Sequence, residues 1–234
     1  DQCAAMARAW GNEDFSRLDH WDDVVLAAGL HDEGWRSWEA DPPPGPDGGP
    51  VDFPDVPRDE HVALYREGIA AAAAQSERAG LLVSMHGSGL YEARFGLGGA
   101  ATPTGSHPPV VRRFLDDQER WRVDALRRLG TGAREWAWDA YRLLQAWDAL
   151  SLYLVWRALP AGRPGTLRAV PRGPSDAEGA TIALAPEGDR SCRLTPWPFT
   201  GTEAHLPVRA HAVRGAGGGE AFLEDYLAVT GESG

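Results

Sequence analysis

The chain has 234 residues, 43% hydrophobic and 24% charged, and a formal net charge of −11. That length carries one large core, or one domain with an appendage, and the composition is that of an ordinary globular protein, not of a disordered or fibrous one. The acidic balance argues against a nucleic-acid partner, whose protein footprint is basic, and no apolar run approaches the roughly 18 residues that span a membrane.

Two widely separated cysteines, Cys3 and Cys192, make neither a disulfide framework nor a zinc finger. With no secretory leader after Asp1, they point to reduced thiols and a cytoplasmic location. A small molecule is the expected partner, and composition says nothing of oligomeric state.

Along the chain, the first helix is expected from the start to Trp10, where Gly11-Asn12 supplies a stop. The second covers 22–40 and ends in Asp41-Pro-Pro-Pro-Gly-Pro. A Pro- and Gly-rich loop over 41–56 then serves as a lid over a site mouth or as an exposed connector. Further helices are expected over 57–79, 81–95, 109–129 and 133–159. The fifth interleaves Arg112, Arg113, Arg122, Arg127 and Arg128 with Asp116, Asp117, Glu119 and Asp124, the pattern of a solvated mixed-charge face.

Near residue 160 the composition shifts toward Gly and Pro. Short strands are expected at 181–185, 191–195 and 205–213, and a last helix over 220–229. The sequence therefore reads as a mainly α helical domain over 1–160 with a small β-rich extension over 161–234.

The chemistry concentrates at His31-Asp32, in the stretch VVLAAGLHDEGWRSWEA. Val24, Ala28, Trp35 and Trp38 recur at helical spacing with His31 in their stripe, which places Asp32 about 100° round a helix beside the buried face. Burying an ionised carboxylate costs several kcal/mol unless a partner compensates, and a metal ion would use both side chains.

His86 lies in LLVSMHGSGLY with Leu82 and Leu90 on its face. The adjacent Gly87 and Gly89 cost about 1 kcal/mol each in a helix, which suggests close approach of a backbone or ligand, or an early helix end. Asp148 lies in LLQAWDALSLYLVW among Leu144, Ser151, Leu152 and Val155. His61 opens the third helix ahead of Leu64, Tyr65 and Gly68. Singly, His61 reads as a hydrogen-bonded core histidine and Asp148 as a cap or an Arg partner. Together, inward-facing His31, Asp32, His86 and Asp148 are more economically one metal site.

The remaining histidines read as peripheral: His20 as a cap or exposed residue, His107 as a loop residue able to lie over a site, His205 and His211 as surface or packing residues. Of the ten tryptophans, Trp35, Trp38 and Trp147 adjoin the candidate ligands and suit a pocket wall, whereas Trp121, Trp136, Trp138 and Trp156 suit helix packing.

The order His31-Asp32, His61, His86, Asp148 on successive helices resembles the HD superfamily of metal-dependent phosphohydrolases. Ala-Trp10-Gly11-Asn12, His31-Asp32-Glu-Gly-Trp35, Ser84-Met-His86-Gly-Ser-Gly-Leu-Tyr91, Asp148-Ala-Leu-Ser-Leu and Pro196-Trp-Pro-Phe199 resemble, over nearly the whole chain, an uncharacterised bacterial family of similar length.

The HD resemblance implies an HD-like helical bundle over 1–160 around one or two ions of Fe, Mn, Zn, Ni or Co, held by His31, Asp32, His61, His86 and Asp148. In a two-ion site Asp32 would bridge, and His61 and His86 would hold the second ion. Asp32, His61 and His86 are then the catalytic candidates. The pattern's first His is missing from residues 1–19, so either it lies just upstream of Asp1, the simpler reading, or the site lacks a ligand. Glu33-Gly34-Trp35 stands where many members have x-Gly-Lys, which leaves Arg36 or Arg94 to meet an anion and Trp35 to meet a flat or apolar substrate. The implied activity is hydrolysis of a phosphate ester. Two-iron oxygen activation on the same helical core, or a non-catalytic binding or regulatory role, are the alternatives.

Overall fold

In the computed structural model, which describes residues 2–45, 51, 53–97, 106–155, 162–188, 190–212 and 221–231 (backbone only at 209–212 and 221–228), α-helices fill the first two thirds and β-strands the last. The helices are α1 (Gln2–Ala9), α2 (Trp21–Leu30), α3 (Arg36–Ala40), α4 (Arg58–Gln75), α5 (Glu77–Gly89), α6 (Pro109–Leu129) and α7 (Ala133–Val155). No helix among the described residues is long and apolar enough to cross a membrane. Residues 46–50 and 52 of the Pro-rich loop lie outside the described residues, as does Trp156.

The expected second helix is interrupted at its most informative point. After α2 stops at Leu30, His31 and Asp32 form a turn, Glu33–Trp35 makes a single 3-10 turn, and α3 resumes at Arg36. Asp32 has φ −111° and ψ 16°, the bridge region and not the helical well, so it does not follow His31 round a helix. Gly34 supplies a physical reason: a Cβ there would lie 1.9 Å from the Leu64 carbonyl oxygen, and one on Gly68 would lie 2.9 Å from the Gly34 nitrogen. The turn drops bare backbone onto α4.

Helices α4 and α5 divide at Ser76, not near residue 80. Ser76 is extended (φ −154°) and its hydroxyl accepts the Ala79 N–H at 3.3 Å, an N-cap. Gly80 falls inside α5, where a Cβ would meet Ala73 at 2.6 Å, so the missing side chain lets α5 close on α4. The helix expected to run to residue 95 ends at Gly89. Ala93, Arg94 and Phe95 follow with φ of 48°, 54° and 51°, a left-handed turn costing about 1–2 kcal/mol per residue.

The expected HD-like helical bundle is not what forms. Strands β1 (Gly165–Val170), β2 (Ala180–Pro186), β3 (Ser191–Thr195), β4 (Glu203–Ala212) and β5 (Ala221–Thr230) make one mixed five-stranded sheet, ordered β1-β2-β3-β5-β4. β1, β2 and β3 pair antiparallel, while β5 runs parallel to β3 with Ser191 opposite Ala228 and Arg193 opposite Thr230. The helix expected over 220–229 is thus strand β5. Phe222, Leu223, Tyr226 and Leu227 recur at helical spacing, and pairing with β3 overrides that local pattern.

The chain divides into two compact units, residues 1–29 with 126–208 and 225–234, and residues 30–125 with 209–224. In the first, Trp10 packs edge-on against Phe15, Trp147 and Phe199 at 5.5, 5.6 and 5.6 Å between ring centroids, and Trp147 also meets Trp21 at 5.9 Å. Asn12 fixes the turn after α1: its amide donates to the Trp197 carbonyl at 2.7 Å, and its side-chain oxygen accepts from the Asp14 and Phe15 N–H groups. On α7, buried Arg142 donates from Nε to the Ala169 carbonyl at 3.0 Å, and Asp139 accepts the Ser175 N–H at 2.8 Å. The second unit carries the α4–α5 pair, the turn at His31-Asp32 and most of α6.

Candidate metal centre

Small residues bring the candidate ligands of the second unit together. Gly34 and Gly68 seat the turn after Asp32 on α4, and Ala73 against Gly80 seats α5 on α4. Gly87, beside His86, faces the Tyr65 ring, with its Cβ position 3.4 Å from the ring. That spacing is ordinary van der Waals contact and would admit a side chain, while α5 ends at Gly89, in line with the early helix end the glycines also allowed.

His31, Asp32 and His86 consequently form one cluster whose ligand atoms all lie within 4.8 Å of one another. His31 Nε2 is 3.2 Å from Asp32 Oδ2, His86 Nε2 is 3.6 Å from Asp32 Oδ1, and the two imidazoles stand edge to face at 5.0 Å. Both imidazoles are buried, whereas the Asp32 side chain is 52% exposed, so the cluster opens to water on the carboxylate side. Desolvation works to raise the Asp32 pKa, but the charges and hydrogen bonds of His31 and His86 outweigh it and hold the carboxyl well below the usual range.

This donor set fits a divalent transition metal. Two imidazoles and a carboxylate, without thiolate, are the ligand chemistry of Zn, Fe, Mn, Ni or Co. The two imidazoles approach different oxygens of Asp32, and one ligand atom from each of the three residues lies within 4.8 Å of the others, a spacing at which the three can share an ion.

The other predicted site residues are placed as follows. His61 is buried near the start of α4, where Nε2 bonds the Phe53 carbonyl at 2.9 Å and Trp35, Phe53 and Tyr65 surround the ring at 4.9, 4.8 and 5.8 Å. Burial lowers its pKa, favouring the neutral ring, although the Phe53 carbonyl pulls the other way. Trp35 is buried in the same aromatic group and meets Trp38 at 5.7 Å. Arg36 is largely exposed and pairs with Glu33 at 2.9 Å. Arg94 sits in the left-handed turn. Asp148 belongs to the first unit, buried on α7.

Of the peripheral histidines, His20 meets Trp136 at 6.1 Å and exposed His205 bonds Glu203 at 3.1 Å, while His211 falls in the backbone-only part of β4.

Two features escaped the sequence reading. Arg122 departs from the expected solvated face of α6: it is buried, donates to Ser88 Oγ at 2.6 Å and pairs with Glu119 at 2.9 Å, while Ser84 bonds Gln118 beside it. No sequence signal separates it from its exposed neighbours Arg112 and Arg113, beyond its place on the apolar stripe with Leu115 and Ala125. The second is a cavity of about 410 Å³ whose wall includes Phe53, Arg58, His61, Tyr65, Tyr91 and His107. Of these, only His61 and His107 were singled out by residue type.

The chain is thus a helix-rich protein with a mixed sheet and a His–Asp–His cluster able to hold a metal ion. The model of a family described as protein of unknown function (DUF3891) matches residues 1–215, and the chain belongs to that family. No curated protein and no solved structure matches it.

Proposed function

We propose that His31, Asp32 and His86 hold one divalent transition-metal ion and that the protein is a metal-dependent hydrolase of phosphate esters. The observation that carries this reading is the convergence of two buried imidazoles on one ionised carboxylate that faces water. Such an ion, when bound, supplies Lewis acidity toward a phosphoryl oxygen and lowers the pKa of bound water. The protein's own groups supply the rest. Asp32 offsets positive charge from the open side, and the buried imidazoles fix the position of the centre. Arg36, four residues beyond Asp32, is exposed and paired with Glu33 at 2.9 Å, and an anionic substrate would exchange for that carboxylate. The resemblance of the His-Asp order to metal-dependent phosphohydrolases supports the choice of reaction.

The test is hydrolysis of p-nitrophenyl phosphate and bis(p-nitrophenyl) phosphate by the whole chain, supplied in turn with Zn, Mn, Fe(II), Ni and Co. Saturable turnover with at least one metal is expected, and His86→Ala should lower it by roughly 100-fold or more, the several kcal/mol a metal contributes to such a transition state. Turnover that survives His86→Ala, or metal binding without turnover on either ester, would reject the hydrolase.

A further inference from the structure

The cavity beside α4 has a character of its own. Its rings form a chain: Phe53 lies tilted against His61 at 4.8 Å, and edge-to-face contacts follow from His61 to Tyr65 at 5.8 Å, Tyr65 to Tyr91 at 6.2 Å and Tyr91 to His107 at 5.9 Å. These separations lie in the range at which aromatic rings attract, so a flat ring inserted among them finds faces and edges already arranged. Pro54, Leu90, Pro108 and Val111 complete an apolar lining. The volume of about 410 Å³ falls in the range of small-molecule sites.

The polar inventory is sparse and one-sided. Although the protein carries a net charge of −11, no Asp or Glu lines the cavity among the described residues. Its permanent charge is Arg58, whose side chain is exposed and makes no ion pair among the described residues. The field of Arg58 reaches both His61 and Tyr91, each of which it pushes toward a lower pKa. Desolvation nevertheless takes the Tyr91 hydroxyl up to about 12, so that group stays neutral and able to donate. Two polar atoms in the wall residues, Tyr91 Oη and His107 Nε2, are buried without a hydrogen-bond partner among the described residues. A buried polar group left so costs about 1–3 kcal/mol, which a ligand's polar group would recover.

We propose that this cavity is a binding site, separate from the His31–Asp32–His86 centre, for a small planar aromatic molecule carrying one carboxylate. The ring lies among Phe53, His61, Tyr65 and Tyr91, and the carboxylate pairs with Arg58 at the mouth. Exposed Phe53 forms part of the rim. The assignment does not depend on the centre holding a metal or on its hydrolysing phosphate.

Calorimetric titration of the whole chain with 2-naphthoate tests it, with 2-naphthol as the ring without the charge and acetate as the charge without the ring. Saturable 2-naphthoate binding is expected, at least about tenfold tighter than either control. Arg58→Gln should erase the advantage over 2-naphthol, and Tyr91→Phe should weaken binding by a smaller factor. His31→Ala should leave 2-naphthoate affinity within about twofold whatever it does to metal binding. Absence of saturation at concentrations on the order of millimolar, equal affinity for naphthoate and naphthol, or loss of binding in His31→Ala would each overturn the assignment.

Discussion

The two units each contain an aromatic cluster built around a tryptophan, and the contrast between them separates an aromatic core from an aromatic site. Around Trp10 in the first unit, Phe15, Trp147 and Phe199 are all buried to 2% exposure or less, and no titratable ring joins the contacts. Around Trp35 in the second unit, the partners are Trp38, Phe53, His61 and Tyr65, Phe53 is 45% exposed, and Phe53, His61 and Tyr65 wall a cavity. The first is closed packing: its rings are fully buried against one another. The second keeps an open volume with an exposed aromatic rim, features that a ligand uses.

The contrast breaks most readily at its structural end. Trp10→Ala should destabilise the chain by about 3–5 kcal/mol in urea unfolding, the cost of a large buried aromatic, whereas Phe53→Ala, at a half-open rim, should cost about 1 kcal/mol. Similar losses for the two would erase the distinction between core and site.

Gly34→Ala comes next. Its new Cβ meets the Leu64 carbonyl, so the turn must lift from α4 at a cost of about 1–3 kcal/mol. Because that turn positions Asp32, metal affinity should also fall by about 10–100-fold, measured by competition with a chelator. Unchanged affinity would show that the turn's seating on α4 does not position the centre.

The smallest effect belongs to the first unit's polar contacts. Asp176 accepts the Arg172 and Gly179 N–H groups at 3.0 Å each, and these bonds hold its pKa below the usual value. A depressed folded pKa gives stability that is complete above the unfolded carboxylate value of about 3.9 and is lost as pH falls through the folded value. Asp176→Asn should therefore cost about 1 kcal/mol at pH 6, with the gap to wild type closing on acidification below pH ~3.9. A gap independent of pH would reject the ionic part of this contact.

How far the sequence foretold this arrangement depended on what each residue's partner was. The grouping of His31, Asp32 and His86 was legible because ionisable residues stood inside apolar stretches. The same reasoning also included His61, which bonds the Phe53 carbonyl, and Asp148, which belongs to the first unit, and it placed beside the buried face an Asp32 that is half exposed. The conformation that produces the cluster was not legible. A continuous helix over 22–40 satisfied the periodicity, and only the Gly34–Gly68 contact, across 34 positions of sequence, explains why the chain turns at His31-Asp32 instead.

Strand β5 failed for the same reason: its helical spacing is local, whereas its pairing with β3 is not. Strand β1 was missed among the Gly, Pro and Arg residues of 162–172, and its ladder is itself irregular between Leu167 and Val170, where Ala169 takes φ 55°. The burial of Arg122 was equally hidden, since charge alternation along α6 looks the same whether one arginine points outward or into a pair of serines.

The central claim is that His31, Asp32 and His86 make a metal centre. Its most direct test is elemental analysis of the untagged whole chain after equilibration with each divalent metal and gel filtration, beside His31→Ala and His86→Ala. The account predicts about one transition-metal ion per wild-type chain and a near-complete loss in both variants, with their helical circular dichroism retained. A wild-type chain that retains no metal, or variants that retain as much as wild type, would contradict it.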